Sequence, residues 1–247
     1  MLLKLRNFEK RGEMLVFLDT ETTGLEPTDR LCALGWICED DLHYELINPA
    51  KKVPPSASAI HHITNEMLNE SPVFALSRSK IKLKDLNKLD NILISHNAPF
   101  DLAMLQKEGI TWQGRVIDTL KCSKALMDDL DGYSLQFLRY ELRLYRTEVD
   151  FFNEYGVAII PHHPLSDALH AKMIYEYLLD LADEEEMIFL SQSRLLLSKL
   201  PFGKYAKKRI ETVALKDPMY LKWMLDSLMD MDEDLRYSIE YYLRSLS

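Results

Sequence analysis

Residues 15–25 have the sequence Leu-Val-Phe-Leu-Asp-Thr-Glu-Thr-Thr-Gly-Leu, an apolar run that leads into two acids one residue apart. The apolar run predicts a β-strand. Because side chains alternate between the two faces of a strand, Asp19 and Glu21 are expected to project from the same side of its end. Two carboxylates in that arrangement favour a divalent cation, although a polar turn that merely ends the strand is the alternative.

The composition predicts one globular domain with room for a small second one. The chain has 247 residues, of which 47% are hydrophobic and 28% are charged. It contains no apolar run near the roughly 20 residues that cross a bilayer and no signal-peptide pattern, so we expect a cytoplasmic protein without membrane association. The three cysteines, Cys32, Cys38 and Cys122, predict buried free thiols.

The formal net charge of −9 argues against a broad electrostatic grip on a nucleic-acid backbone. It does not exclude an enzyme that acts on phosphates, because bound cations would set the local potential that a phosphate meets. The positions of the acids are therefore more informative than their number.

Strand and helix patterns alternate along the first three quarters of the chain. Strands are expected at residues 15–19, 31–38, 42–48, 91–95 and 115–118. The first three are joined by short connections and should form an antiparallel meander. A polar loop that leads into a helix is expected at 59–68, and helices at 72–89, 119–130, 134–144 and after Ser166, which we expect to cap the last one. This order predicts an α/β fold with a mixed sheet flanked by helices.

Charge blocks suggest the domain boundaries. The acidic run at 183–186 predicts a linker, which gives an N-terminal arm at 1–13, a main domain at 14–182, an acidic linker at 183–197 and a small C-terminal module at 198–247. The module contains a basic cluster, which we define as Lys204, Lys207, Lys208 and Arg209. This cluster either contacts a nucleic-acid backbone or is a solvated surface. Trp223 is expected in the core of the module.

Four acids share one kind of position in this pattern. Each of them stands at the end of a strand or the start of a helix: Asp19, Glu21, Asp101 and Asp167. In an α/β sheet these ends gather on one rim, where binding sites usually lie. Four facing carboxylates would raise one another's pKa values, so their convergence would require cations, and oxygen ligands favour Mg²⁺ or Mn²⁺. Two such ions can activate water and stabilise the leaving oxygen of a displacement at phosphorus.

Three segments around these acids carry a family resemblance. The segments Asp19-Thr-Glu-Thr-Thr-Gly-Leu25, His96-Asn-Ala-Pro-Phe-Asp101 and His162-His-Pro-Leu-Ser-Asp167 resemble, in order, the three motifs of the DEDDh family of 3'-to-5' exonucleases. The resemblance implies a ribonuclease H-like fold, two Mg²⁺ ions for which Mn²⁺ can substitute, and stepwise release of nucleoside 5'-monophosphates. It also implies that the four acids bind the ions and that His162 is the general base, with the adjacent His163 as its rival.

Further residues match positions that hold substrate in this family. Thr22, Thr23 and Leu25 correspond to contacts of the terminal nucleotide, although shaping the turn is the alternative role. His61 lies in a stretch that resembles the His-Gly-Ile-Thr segment of these enzymes, with His62 where glycine is usual. His96 and Asn97 are expected to orient Asp101 or touch phosphate, or else to have a structural role.

The leading hypothesis from the sequence is therefore a metal-dependent exonuclease that acts on DNA 3' ends, with single strands preferred. The C-terminal segment resembles the small module of exonuclease X-like proteins, which favours a free-standing enzyme. Three alternatives remain: a proofreading subunit with a polymerase or repair partner, an RNA-trimming enzyme of the same family, and a nucleic-acid-binding protein without catalysis. The presence of all four acids and His162 disfavours the last.

Overall fold

The structure is a computed structural model that describes residues 12–245. Residues 1–11, and with them nearly all of the expected N-terminal arm, lie outside the described range. No helix within 12–245 has the length and apolar character that a membrane crossing needs.

The centre of the main domain is one five-stranded mixed sheet. Its strands are β1 Leu15–Thr22, β2 Leu31–Cys38, β3 Asp41–Leu46, β4 Ile92–Ser95 and β5 Arg115–Asp118. Their order across the sheet is β3-β2-β1-β4-β5. The first three strands pair antiparallel, whereas β4 pairs parallel to β1 and β5 parallel to β4. The predicted α/β fold with a mixed sheet and an antiparallel meander is confirmed.

Eleven α-helices accompany the sheet within the described residues. In the main domain they are α1 Pro55–His61, α2 Arg78–Leu86, α3 Ala98–Lys107, α4 Thr119–Leu126, α5 Leu135–Glu141, α6 Glu148–Tyr155, α7 Pro164–Leu178 and α8 Glu184–Gln192. The module has α9 Ile210–Lys216, α10 Pro218–Ser227 and α11 Glu233–Ser245.

The helices cover both faces of the sheet, and β1 shows why. Phe17 packs with α4 to α8 in one apolar cluster, whereas its neighbours Val16 and Leu18 pack with α2 and α3 in another. This alternation is the strand period of two. Asp19 and Glu21 continue the series of Phe17, so their side chains lie on the face that α7 covers.

Gly35 lets α7 approach the sheet closely. In the register of β1 with β2, Gly35 lies opposite Asp19. A Cβ atom at this position would lie 2.7 Å from the backbone nitrogen of Leu165, in the first turn of α7. The absence of a side chain therefore brings the beginning of α7, with Asp167, directly over the end of β1.

Three helical expectations were wrong in detail. The segment expected as a loop into a helix at 59–68 begins instead within α1 and ends in a turn. The helix expected at 72–89 is divided into a 3-10 turn, Phe74–Leu76, and α2, because Ser77 caps α2 by accepting a hydrogen bond from the Lys80 backbone N–H. Ser166 does not cap α7: the helix already begins at Pro164, a residue well suited to the first helical position.

The expected acidic linker is also not a linker over most of its length. Its acids form the first turn of α8, where the Asp183 side chain caps the helix. Negative charge is favourable at a helix N-terminus. Met187 and Ile188 of α8 are buried in the main core. The chain then enters the module, whose helices share a separate apolar cluster that includes Leu200 and Ile239.

Candidate active site

The four acids predicted from the sequence converge at the end of β1. Asp19 and Glu21 extend from β1, Asp101 lies in the first turn of α3, and Asp167 lies in the first turn of α7. Burial raises the pKa of Asp19 well above its usual range, and the charges of Asp101, Asp167 and Glu21 raise it further. Such mutual effects require short distances, so the four carboxylates form one cluster.

The remaining three acids in this acid cluster have similarly raised pKa values. Burial, followed by the charges of Asp167 and Asp101, raises the pKa of Glu21 to about 9. Burial raises the pKa of Asp101 to about 7 and that of Asp167 to about 7, although hydrogen bonds to both carboxylates partly oppose this effect. Without a cation, the cluster therefore resists being fully ionised near neutral pH.

Asp101 is fixed by two hydroxyl groups. Thr20 Oγ1 donates a hydrogen bond of 2.6 Å to Asp101 Oδ1, and Ser95 Oγ donates to Asp101 Oδ2. Thr20 lies on β1 between the two acids, and Ser95 ends β4. Sequence reasoning missed both residues, although their positions at strand ends next to the motifs were a usable signal.

His162, and not His163, lies with the acids. Ligand atoms of Glu21, His162 and Asp167 all lie within 4.8 Å of one another. The His162 side chain is exposed, and its backbone N–H donates a hydrogen bond of 3.0 Å to Asp167 Oδ2. By contrast, His163 is half-buried, and its ring lies 4.4 Å from the ring of Tyr44.

The backbone at His162 is held in an uncommon conformation. Its φ is +58°, in the left-handed region that non-glycine residues seldom adopt. Residues in such conformations concentrate at functional sites, where the surrounding structure compensates for the strain. Here the left-handed turn accompanies the hydrogen bond from the His162 backbone to Asp167.

The chemistry of the acid cluster fits divalent cations. Its members are hard oxygen donors with one adjacent imidazole, the donor set that Mg²⁺ and Mn²⁺ accept. Asp167 Oδ1 is buried and has no hydrogen-bond partner among the described residues, so it has lone pairs to offer. The raised pKa values also favour a cation, because they show that no nearby positive charge stabilises the ionised carboxylates.

A loop from Thr22 to Arg30 follows the first two acids, and Asp29 organises it. Asp29 accepts hydrogen bonds from Thr23 Oγ1 at 2.6 Å, from the Glu26 backbone N–H at 2.9 Å and from Lys51 Nζ at 2.8 Å. The Thr22 hydroxyl bonds within the loop to the carbonyl of Gly24. Sequence reasoning missed Asp29 because its partners become neighbours only after folding.

Leu25 stands at the outside of this loop with 84% of its side chain exposed. An apolar side chain of this size gains free energy when a partner covers it. Its position suits the apolar contact that the family resemblance implies. Thr22 and Thr23 are instead buried and hydrogen-bonded within the loop, which favours a shaping role for their hydroxyls.

His61 supports the beginning of the loop from Thr22 to Arg30. It is buried, and its Nε2 lies 3.2 Å from the carbonyl oxygen of Thr22. The next residue, His62, has φ +61° and ends α1 through a hydrogen bond from its backbone N–H to Ser58. The turn that usually contains glycine is therefore present with histidine in it.

His96 and Asn97 differ in their surroundings. The His96 ring bonds with Thr119 Oγ1 at 3.0 Å and with the carbonyl oxygen of Tyr133 at 2.8 Å, and burial lowers its pKa to about 4. These contacts favour the structural role for His96. Asn97 is exposed in the left-handed region with φ +77°, and its backbone N–H donates to Asp118.

The basic cluster of the module does not present four free cations. Lys204, Lys207 and Arg209 form salt bridges with Asp217, Asp131 and Asp129, respectively. All of these pairs are at the surface. Trp223, expected in the core, is instead 53% exposed on α10 beside Tyr220.

Comparison with known proteins places the chain in a family. The family model described as Exonuclease (RNase_T) matches residues 16–169, a range that includes the acid cluster and His162. The match covers more than half of the chain and therefore shows the family.

Two curated relatives differ in how much of their length the chain spans. Exodeoxyribonuclease 10 from Escherichia coli K12 is 28% identical over 252 aligned positions, which cover 94% of this chain and 100% of the relative. A DNA polymerase III subunit epsilon-like protein from Rhodobacter capsulatus is 30% identical over 141 positions, which cover 51% of this chain but 20% of that protein.

Solved structures show the same fold. Exonuclease X in complex with 5' overhanging duplex DNA matches 72% of this chain and 99% of the solved chain, with a TM-score of 0.53 and 20% identity. Escherichia coli Exonuclease I in complex with a dA16 oligonucleotide matches 72% of this chain and 42% of the solved chain, with a TM-score of 0.54 and 14% identity. The ribonuclease H-like fold expected from the sequence is confirmed.

Proposed function

This chain belongs to the exonuclease family, and on that premise we propose that it is a 3'-to-5' exodeoxyribonuclease that releases nucleoside 5'-monophosphates from single-stranded DNA ends. The observation that supports this proposal most strongly is the acid cluster beside His162 at the end of β1. Four carboxylates with raised pKa values, of which Asp101 and Asp167 are buried, lie next to one exposed imidazole and suit hydrolysis of a phosphodiester in the presence of cations.

Each group in the site has a proposed task. Asp19, Glu21, Asp101 and Asp167 would hold two Mg²⁺ ions, with Mn²⁺ as a substitute. When bound there, such ions would supply polarisation of the attacking water and neutralisation of charge on the leaving oxygen. His162 would accept the proton of the attacking water, a task for which an exposed imidazole beside Glu21 and Asp167 is suited.

The chain offers further groups to the substrate. Leu25 contacts the terminal base, and the backbone around Thr22 and Thr23 contacts the terminal nucleotide. Asn97 contacts phosphate near Asp101. His61 and His96 instead support the site through their hydrogen bonds with neighbouring segments. These assignments follow the family motifs together with the exposure of Leu25 and Asn97.

The module is proposed to hold the strand at a distance from the site. Phe202 is exposed, and Lys204 lies over the ring of Tyr205, so this edge offers aromatic faces and positive charge together. The ion pairs of Lys204, Lys207 and Arg209 must exchange for phosphate contacts, whereas Lys208 is already exposed. The net contribution of the basic cluster to binding is therefore modest.

We favour a free-standing enzyme over a polymerase-bound subunit. The similarity to Exodeoxyribonuclease 10 extends over that relative's whole length. In contrast, the similarity to DNA polymerase III subunit epsilon from Rickettsia prowazekii, at 38% identity, covers 38% of this chain. A polymerase or repair partner is a second proposal that rests on this shorter similarity. We also propose a cytoplasmic location, since all three cysteines are buried free thiols.

The test uses end-labelled strands. A single-stranded DNA labelled at its 5' end and an RNA of the same sequence are incubated with the purified protein in Mg²⁺ or in chelator. We expect a ladder of 5'-labelled DNA products that shorten from the 3' end, slower cleavage of RNA, and no products in chelator. The variant Asp19→Ala should lose cleavage, whereas Asp40→Ala, an exposed acid of the β2–β3 turn, should retain it. Release of the 5' label as the first product would contradict the proposed polarity.

A further inference from the structure

A buried polar network lies behind Asp167 and involves three helices that follow the sheet. Its members are Arg139 on α5, Glu148 in the first turn of α6 and His170 on α7. None of these residues belongs to the three sequence motifs. His170 is three residues after Asp167 on the same helix, so the two side chains share one face of α7.

Hydrogen bonds fix the orientation of the side chains in this network. Arg139 donates two hydrogen bonds of 2.6 Å to Glu148, one from Nε and one from Nη2, in the paired geometry that orients a carboxylate well. Glu148 Oε2 also lies 3.3 Å from His170 Nε2. The His170 side chain is 0% exposed, and its ring packs against Phe152 at a centroid distance of 4.8 Å. The contact with Glu148 therefore sets the orientation of the His170 ring, and Phe152 contributes apolar packing alone.

The other side of the His170 ring faces Asp167, with the Ser166 backbone also nearby. His170 Nδ1 lies 3.9 Å from Asp167 Oδ1, and both atoms are buried without a hydrogen-bond partner among the described residues. A buried polar atom without a partner is unfavourable, because it has lost its hydrogen bonds to water. These two atoms face each other across a short gap, and a small rotation of either group would join them.

We propose that His170, anchored by Glu148 and Arg139, is a positioning residue that orients the Asp167 carboxylate for cation binding. The other oxygen of that carboxylate is held by the His162 backbone N–H, so the two contacts together would fix its plane. Groups that hold a metal ligand in place typically affect metal affinity or activity about 10- to 100-fold. This inference rests on the proposed function, because it requires Asp167 to bind a cation.

A purely structural role for the network is the competing explanation. A buried ion pair that only connects α5, α6 and α7 would contribute to the stability of the fold. Its loss would not change the affinity of the folded protein for a cation. The two roles separate because one ring nitrogen faces Glu148 and the other faces Asp167. Asparagine in place of histidine keeps an amide group near the Nδ1 position, whereas glutamine keeps one near the Nε2 position.

The test measures Mn²⁺ binding by calorimetry on chelator-stripped protein, together with thermal unfolding. The variants are His170→Asn, His170→Gln and Glu148→Gln, and the control is Phe152→Leu, which loosens packing on the ring without removing a polar contact. We expect the Kd for Mn²⁺ to rise about 10- to 100-fold in His170→Gln and Glu148→Gln and less in His170→Asn. Phe152→Leu should unfold at a lower temperature with its Kd within about threefold of wild type.

The alternative outcomes have distinct meanings. If His170→Gln and Glu148→Gln bind Mn²⁺ as wild type does while their unfolding temperature falls, the network is a structural tie and this inference is wrong. If the wild-type protein itself binds no Mn²⁺, the proposed function fails, and this inference fails with it.

Discussion

Asp29 shows how a residue outside the motifs sets the shape of the site. Hydrogen bonds from Lys51, Thr23 and the Glu26 backbone lower its pKa from the ordinary 3.8 to about 2. The folded state therefore binds the proton of Asp29 more weakly than the unfolded state does. The stabilisation of the fold by the ionised Asp29 carboxylate is present above about pH 4 and is lost as the pH falls toward 2.

Replacing Asp29 by asparagine should consequently have a pH-dependent effect. We expect Asp29→Asn to lower the free energy of unfolding by about 1 kcal/mol at pH 7, because charge-assisted hydrogen bonds in the loop are lost. At pH 3 the difference from wild type should be smaller. Urea unfolding at the two pH values measures this, with the exposed-site variant Asp40→Asn as the control. An equal difference at both values would contradict the assigned cause.

Residues in the motifs could be predicted from the sequence, whereas their supports could not. The spacing of Asp19, Glu21, Asp101 and Asp167 relative to strand and helix ends was sufficient to identify the cluster. Asp29 and His170 depend on contacts across 22 positions in the chain, to Lys51 and Glu148 respectively. Such partners have no local pattern, so a single sequence does not reveal them.

At the scale of elements, the close packing of α7 on the sheet depends on Gly35. A methyl group there would lie 2.7 Å from the Leu165 backbone nitrogen, which cannot move away as a flexible side chain could. We expect Gly35→Ala to lower the free energy of unfolding by roughly 1–3 kcal/mol, as overpacking typically does. The rate of nucleotide release should fall as well, because Asp167 lies on the turn that must shift.

The matched control is Gly12→Ala, since among residues 12–245, its chain neighbours aside, no atom lies within 4 Å of the added methyl position. Thermal unfolding and nucleotide release are measured on both variants. If Gly35→Ala were as stable and as active as Gly12→Ala, α7 would have to reach the site in another way.

Elements with a clear pattern of apolar residues could be predicted from the sequence. Helices whose first turns contain acidic residues, α6 and α8, could not. The apolar runs of β1, β2, β4 and β5 place these strands within three residues of their observed ends. The acidic residues at 183–186 were interpreted as a linker, although acids also favour a helix N-terminus, as they do in α8. The helix α6 was missed because Glu148, in its first turn, is stabilised by Arg139 and His170 from other helices.

At the scale of the whole molecule, the acid cluster sets a pH dependence of stability. The folded-state pKa values of its four members are raised, so the folded state binds more protons than the unfolded state between about pH 4 and 9. Stability of the cation-free protein should therefore fall as the pH rises through this window. Bound cations should oppose the fall, because they stabilise the charged form of the cluster.

Thermal unfolding of wild type and Asp19→Asn, each in chelator and in Mg²⁺, checks this relation. In chelator we expect Asp19→Asn to unfold a few °C above wild type at pH 8.5 and less above it at pH 6, since 1 kcal/mol corresponds to about 2–4 °C in a chain of this size. Mg²⁺ should raise the Tm of wild type at pH 8.5 and have a smaller effect on the variant. A variant less stable than wild type in chelator at pH 8.5 would be inconsistent with repulsion in the cluster.

The whole-molecule arrangement links the module to the main domain through surface charges. Lys207 and Arg209 pair with Asp131 and Asp129 of the segment between α4 and α5. That segment continues to Tyr133, whose carbonyl oxygen contacts His96 at the start of the second motif. The segment 129–133 therefore contacts the module at one end and His96, at the start of the second motif, at the other.

The most direct test of the account is the single-turnover rate at which 3'-labelled single-stranded DNA loses its terminal nucleotide at saturating Mg²⁺. The rate is measured for wild type, His162→Ala, His163→Ala and Asp167→Asn. We predict a loss of about 10²- to 10⁴-fold for His162→Ala, as is typical for a general base, and a loss at least as large for Asp167→Asn. His163→Ala should stay within about threefold of wild type. Near-wild-type rates for His162→Ala and Asp167→Asn would contradict the assignment of the active site.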